Sequence, residues 1–412
     1  MSSIKNLKIP GKKITVWPQW LTALAISLET IVSGLANGWA SPYLAQLISA
    51  EADVSLKMTD IEASWMASLL SFGRVIGAFI GAFCQVYWLC LQISFNVSIA
   101  SLGMFLGNVM GPYLSMEMFA YVSLVPNVLF MILFSLIPES PYHYVLHGNI
   151  DKAEASLKWF QREADMKAKM QEFQDFVNGA NTSILTKFKD FLLPVNLKNI
   201  LILFGLNLFV QTSSFTTINA YAEIIVINAK VNITPSIVVM ALCFSTVVAG
   251  FIAIFVVDKF GRKNLLILSS IGVTISYLAL GLHFYLLSLN FDPEKLTWLP
   301  ITSLLSFNLF VSYGLATVPS TLLGEMFPAN LKNLASLCIF STNALLTFVF
   351  VKCFQPFVNL TGETIVFWSY GLFVLGAVPY VMYLIPETTG KSLLEIQQSI
   401  KNKLYDLSKS KL

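Results

Sequence analysis

The chain has 412 residues, 56% of them hydrophobic and 12% charged, and a mean hydropathy of +0.69. A water-soluble domain of this length needs far more charge on its surface, so that class is excluded. The formal net charge of +3 comes from basic residues spread along the chain rather than gathered in one patch, so it says nothing of nucleic acid, and no such partner is expected.

Residues 1–16 are polar and basic. The apolar stretch after them is too long for a secretory signal and lacks a small-residue cleavage site, so they read as a cytoplasmic N-tail. A first helix starts near Trp17, and charge-free runs follow at 30–50, 75–116 and 118–138. One helical crossing needs roughly 20 apolar residues, so the run 75–116, about twice that length, predicts two helices. Residues 17–138 thus form an N-terminal bundle of about four spans.

The segment 139–198 is a charged cytoplasmic connector. Within it Leu157, Phe160, Ala164, Met170, Phe173 and Val177 recur at near-helical spacing, which suggests amphipathic helices on the membrane face. The break at Asn178-Gly179-Ala180-Asn181 leaves a partly disordered linker as the alternative. Further charge-free runs at 199–222, 231–257, 264–291, 296–324, 333–351 and 364–386 predict a C-terminal six-span bundle over 199–386, and 387–412 is a cytoplasmic C-tail. The fold class is therefore all-α and polytopic, with about ten transmembrane helices.

Orientation follows from Lys and Arg. Of the 26, 21 lie in segments 1–16, 139–198, 258–263, 325–333 and 386–412, which alternate regularly with the other loops. The positive-inside rule puts these segments, both termini included, in the cytoplasm of a multi-pass cell-membrane protein. No phosphate-binding loop, dinucleotide fingerprint, zinc spacing or nucleophile–base arrangement is present, so no enzyme, cofactor or metal is expected. The five cysteines, Cys84, Cys90, Cys243, Cys338 and Cys353, lie in or beside apolar runs and read as packing residues.

Two ionisable residues fall inside the first bundle. Glu29 and Arg74 each lie roughly 10 residues from the external end of their helices, so at ~1.5 Å per residue they reach similar depth. Either alone is expensive in a bilayer, which predicts a buried Glu29–Arg74 ion pair. A protonatable coupling site at Glu29 is the rival reading.

Motifs tie the two bundles together. Ile137-Pro138-Glu139-Ser140 returns as Ile385-Pro386-Glu387-Thr388, each copy closing an apolar run. Asp258-Lys259-Phe260-Gly261-Arg262-Lys263 fills a short loop, and Gly324-Glu325-Met326-Phe327-Pro328 ends another span. This combination resembles the sugar porter family of the major facilitator superfamily. Pro138-Glu139-Ser140-Pro141-Tyr142, Tyr221-Ala222-Glu223 and the stretch from Pro386 to Leu393 are similar to its facilitated trehalose transporter branch.

The resemblance implies two six-span halves rocking about a central cavity for a small carbohydrate, trehalose or a hexose. It points to Gln211, Ser213 and Thr216 in the seventh family span, Thr246 in the eighth, Pro319 in the tenth, Asn343 in the eleventh and Ser101 in the fifth as substrate-site positions. Polar side chains within spans also serve as interhelical hydrogen bonds, and that alternative stands for each. The family's cytoplasmic helix-end cluster maps onto Asp258, Gly261, Arg262, Lys263, Glu325, Lys332 and Glu387, with Pro138, Glu139 and Pro386 in the two echoes. In proton-coupled relatives the acidic residue aligns nearer Ala36 than Glu29, which favours uniport.

The first half is shorter than the family pattern. After Gly81-Ala82-Phe83 the chain runs directly into a stretch resembling the fifth span, so spans three and four are missing and the N-terminal half is incomplete. The stretch 84–92 must then turn between helices. Without the fourth span the cavity wall is open, and weak or absent transport is expected. A non-transporting membrane protein acting as a binding or regulatory subunit, or a shortened isoform, is the alternative.

Overall fold

The computed structural model describes residues 17–48, 57–84, 90–139, 141–146, 148–160, 189–327, 331–385 and 387. Their regular structure is helical throughout. In the N-terminal part, α1 (Trp17–Gly38) passes at Trp39 into α2 (Ala40–Ile48), and α3 (Asp60–Cys84), α4 (Cys90–Met110) and α5 (Met116–Ser135) follow. Two short helices come next, α6 (Pro141–Leu146) and α7 (Ile150–Phe160).

The C-terminal part begins with one crossing broken into α8 (Pro194–Thr212), α9 (Phe215–Ala220) and α10 (Ala222–Asn228). It continues through α11 (Pro235–Phe260), α12 (Arg262–Ser288), α13 (Pro293–Leu296), α14 (Trp298–Tyr313), α15 (Val318–Met326), α16 (Lys332–Thr361), α17 (Glu363–Leu375) and α18 (Ala377–Leu384). Eight stretches are long and apolar enough to cross a membrane. Helices α3 and α4, of 25 and 21 residues, are not among those eight but are of similar length. The predicted turn over 84–92 falls where α3 ends and α4 begins, and its residues 85–89 lie outside the described ones.

By contact the chain divides into two compact units, residues 1–29 with 125–183, and residues 30–124 with 184–412. In the first, Ala153 and Leu157 of α7 are buried against Tyr144 and Val145 of α6. Trp17 meets Trp159 edge to face. The Ser156 hydroxyl donates to the Glu139 carbonyl at 2.5 Å, so the first Pro-Glu echo anchors α7 through its backbone. Leu157 thus joins a helix–helix contact, while the Phe160 side chain and Ala164, Met170, Phe173 and Val177 lie outside the described residues.

In the second unit α16 runs along α3, α11 along α4, and α12 lies between α14 and α17. Tyr277 of α12 is buried among Phe307, Phe367 and Tyr370. Where α8 gives way to α9, Ser214 takes φ +53°, a left-handed conformation rare for a residue with a side chain. The carbonyl of Ser213, freed at this break, accepts from the Tyr277 hydroxyl. A second break, between α14 and α15, is held by Ser269, which donates to the Phe310 carbonyl at 2.6 Å and accepts from the Leu315 amide at 3.1 Å.

Helices α1 and α4 approach closely through Gly34 and Gly38 on one side and Gly103 and Gly107 on the other. A Cβ on Gly34 would stand 2.7 Å from the Gly103 Cα. Small residues let backbones meet in this way where no hydrophobic drive operates between helices in lipid. By contrast α5 exposes Tyr121, Met131, Ile132 and Phe134, an apolar surface suited to hydrocarbon. Cys243 is buried beside Met104 and Val239 as expected of a packing residue, but Cys338 and Cys353 face outward on α16.

Candidate functional site

The glycine contact between α1 and α4 sets one wall of a cavity of about 290 Å3. Its polar lining comes from Ser33 and Asn37 of α1, Ser71 and Arg74 of α3, Ser101 of α4, and Thr216 and Asn219 of α9. Helical spacing explains the pairs. Ser33 and Asn37 are four residues apart, Ser71 and Arg74 three, so each pair shares one face of its helix. The break at Ser214 restarts the helix so that Thr216 and Asn219 face the same space. Ala40, Ala67, Leu70, Met104 and Phe215 supply apolar walls. A mostly apolar cleft with a few placed polar groups is the usual form of a small-molecule site.

Inside the cavity the Arg74 guanidinium donates to the Asn37 side-chain oxygen, and the Asn37 amide nitrogen donates to the Ser33 carbonyl at 2.6 Å. The predicted Glu29–Arg74 ion pair is not among those of the described residues, and Glu29 stands exposed on α1. The reason is axial position. Arg74 meets Asn37, which follows Glu29 on α1 by eight residues, about 12 Å along a helix.

The sequence-predicted substrate positions separate into groups. Ser101 and Thr216 line the cavity. Gln211 and Asn343 join α8 to α16: the Thr347 hydroxyl donates to the Gln211 side-chain oxygen at 2.8 Å, and the Asn343 amide donates to the Asn207 side-chain oxygen at 3.1 Å. The Thr246 hydroxyl donates to the Leu242 carbonyl at 3.1 Å and that of Ser213 to the Val210 carbonyl at 2.5 Å, each within its own helical segment. Pro319 sits in the first turn of α15, just past the α14 break, where its missing N–H is no loss.

A second cluster gathers the loop motif and the second Pro-Glu echo. Gly261, at φ +82°, turns the chain from α11 to α12. The Glu387 carboxylate accepts from the backbone amides of Arg262 and Lys263, at 3.2 and 3.3 Å, which are the first residues of α12. An anion here satisfies otherwise unpartnered amides and complements the helix dipole. The Arg262 guanidinium meets Glu325 at 2.9 Å, both side chains largely buried, and the Lys263 ammonium donates to the Met382 carbonyl at 2.6 Å. Lys332 begins α16 without an ion pair among the described residues. Asp258 closes α11 with its side chain outside the described residues, and Pro386 lies outside them altogether.

Ser33, Asn37, Ser71 and Asn219 were not singled out by sequence reasoning. Gly34 to Gly38 and Gly103 to Gly107 are both Gly-x-x-x-Gly repeats, a signal of close helix contact that brings Ser33, Asn37 and Ser101 together.

The family described as "Sugar (and other) transporter" matches residues 101–399. The facilitated trehalose transporter Tret1 of Aedes aegypti is 26% identical over 459 residues, covering 96% of this chain and 56% of that protein. Tret1 of Culex quinquefasciatus is 28% identical over 464 residues, covering 97% and 89%. The chain thus spans about half the length of some curated relatives and most of others. Both alignments are longer than the 412-residue chain, so each relative has residues within the aligned stretch that have no counterpart here.

Among solved structures, the proton:xylose symporter XylE bound to 6-bromo-6-deoxy-D-glucose superposes with a TM-score of 0.69 at 17% identity, covering 92% of this chain and 98% of that one. An inward-open XylE from E. coli gives 0.67 at 18%. These agreements establish the fold. The matched family, one of transporters and not of enzymes, takes in well over half of the chain, and the helices are those of a multi-pass membrane protein with the major facilitator fold: the chain belongs to the sugar transporter family.

Proposed function

We propose that the chain is a facilitative carrier of a small carbohydrate, working by alternating access in the cell membrane with both termini cytoplasmic. The cavity carries this proposal. A sugar leaving water needs several oriented hydrogen-bond partners, and Ser33, Ser71, Ser101, Thr216 and Asn219 converge on one space. Its volume of about 290 Å3 lies just below the roughly 300–1,000 Å3 usual for ligand pockets, which favours a hexose over the larger trehalose. Gln211 and Asn343, which are not among the lining residues, are proposed as further sugar contacts. The Glu387–Arg262–Glu325 cluster is proposed to steady helix ends as the carrier changes state.

The relatives' unmatched residues favour a second reading. If they fall between α3 and α4, as the missing third and fourth spans require, transport is slow or lost and the chain is a binding or regulatory subunit. Reconstitution into liposomes with labelled glucose and trehalose separates the two. Saturable uptake above protein-free vesicles supports the carrier. Sugar binding with uptake no faster than in empty vesicles supports the second reading and refutes the first. Sequencing the transcript around residues 83–96 tests the missing spans directly: an additional segment of about two spans there identifies a shortened isoform.

A further inference from the structure

Arg74 does not fit a site built for a neutral sugar alone. It stands near the middle of α3, a 25-residue helix that the carrier reading places across the membrane, where a charge is costly and is retained with a partner or toward a water-filled space. Its hydrogen-bond partner is the neutral Asn37, and among the described residues no ion pair includes it. No Asp or Glu is among the residues lining the cavity. Tying α3 to α1 through Asn37 uses one of several guanidinium donors and leaves the positive charge unneutralised.

Around it lie hydroxyls rather than acids. The hydroxyls of Ser33, Ser71 and Thr216 make no hydrogen bond among the described residues, and the Asn219 amide, which donates to the Phe215 carbonyl at 2.8 Å, keeps its oxygen toward other partners. A cavity with one uncompensated cation and a ring of hydroxyls is complementary to a polyol that carries a single negative charge. A carboxylate matches the planar guanidinium fork in two parallel hydrogen bonds, which an ammonium group cannot provide.

We propose that this cavity takes a sugar acid, with Arg74 binding its carboxylate and Ser33, Ser71, Thr216 and Asn219 its hydroxyls. The proposal deepens the carrier reading and rests on it for the identity of the cavity as the solute site. It concerns binding, so it can fail or hold independently of flux.

The test is equilibrium binding to the purified full chain in detergent, with D-glucuronate, its neutral amide D-glucuronamide and D-glucose as probes. Glucuronate is expected to bind roughly tenfold to a hundredfold more tightly than glucuronamide. Arg74→Met should abolish that preference and Arg74→Lys should retain part of it. Equal affinity for glucuronate and glucuronamide, no binding of glucuronate, or an unchanged preference in Arg74→Met overturns the proposal. Should Arg74→Met fail to fold, the wild-type ratio of glucuronate to glucuronamide decides alone. Saturable glucose uptake in liposomes together with equal binding of the three probes overturns the sugar-acid site and leaves the carrier intact. Glucuronate preference without uptake of any probe does the reverse.

Discussion

Gly34→Ala is the smallest change that tests how the cavity is built. The added Cβ would stand 2.7 Å from the Gly103 Cα and 2.8 Å from the Met104 amide nitrogen, where ordinary contact begins at 3.4 Å. Both neighbours are backbone atoms, so no side chain can rotate away. The Ala100 carbonyl oxygen lies closer still, so helices α1 and α4 would have to part by more than 0.7 Å, the difference between 2.7 and 3.4 Å. Overpacking of this kind costs about 1–3 kcal/mol. Gly73→Ala on α3 is the control. Nothing lies within 4 Å of its Cβ, and Ala in place of Gly within a helix is favourable by roughly 0.5–1 kcal/mol. Thermal unfolding of the detergent-solubilised variants should place Gly34→Ala several degrees below wild type and Gly73→Ala at or above it. Separation of the helices should also weaken solute binding, since Ser33 and Asn37 move away from Ser101. If Gly34→Ala is as stable as Gly73→Ala, the close α1–α4 contact does not exist in the membrane protein.

Two further predictions concern other parts of the second unit. Glu387→Gln keeps the shape but removes the charge at the α12 N-terminus, and should lower stability by about 0.3–1 kcal/mol at low salt. That difference should narrow in high salt, and a salt-independent loss would count against the dipole account. Thr347→Val removes the bond to Gln211 and should cost about 0.6 kcal/mol, the average for an interhelical hydrogen bond in a membrane protein. Unchanged melting of that variant would show that the α8–α16 network is not a stabilising tie.

The sequence by itself determined the solvent and the helical class. Those depend on runs of apolar residues and on backbone groups that must bond internally in lipid, both local properties. It also contained the family motifs, and the cluster around Gly261, Arg262, Glu325 and Glu387 was legible because the left-handed turn and the carboxylates have few substitutes. Of the expected substrate positions, Ser101 and Thr216 lie on the cavity wall while Gln211 and Asn343 bond across α8 and α16. A polar residue within a span has the same sequence signature whether it meets a solute or a neighbouring helix. Arg74 was recognised as unusual, but pairing it with Glu29 required knowing how far α1 slides along α3. Only the tertiary structure decided that, because the Gly34–Gly103 contact sets the depth of α1 against α4 and the hydrogen bond to Asn37 sets it against α3. That axial position leaves a cation facing hydroxyls in the cavity instead of a carboxylate on the next helix.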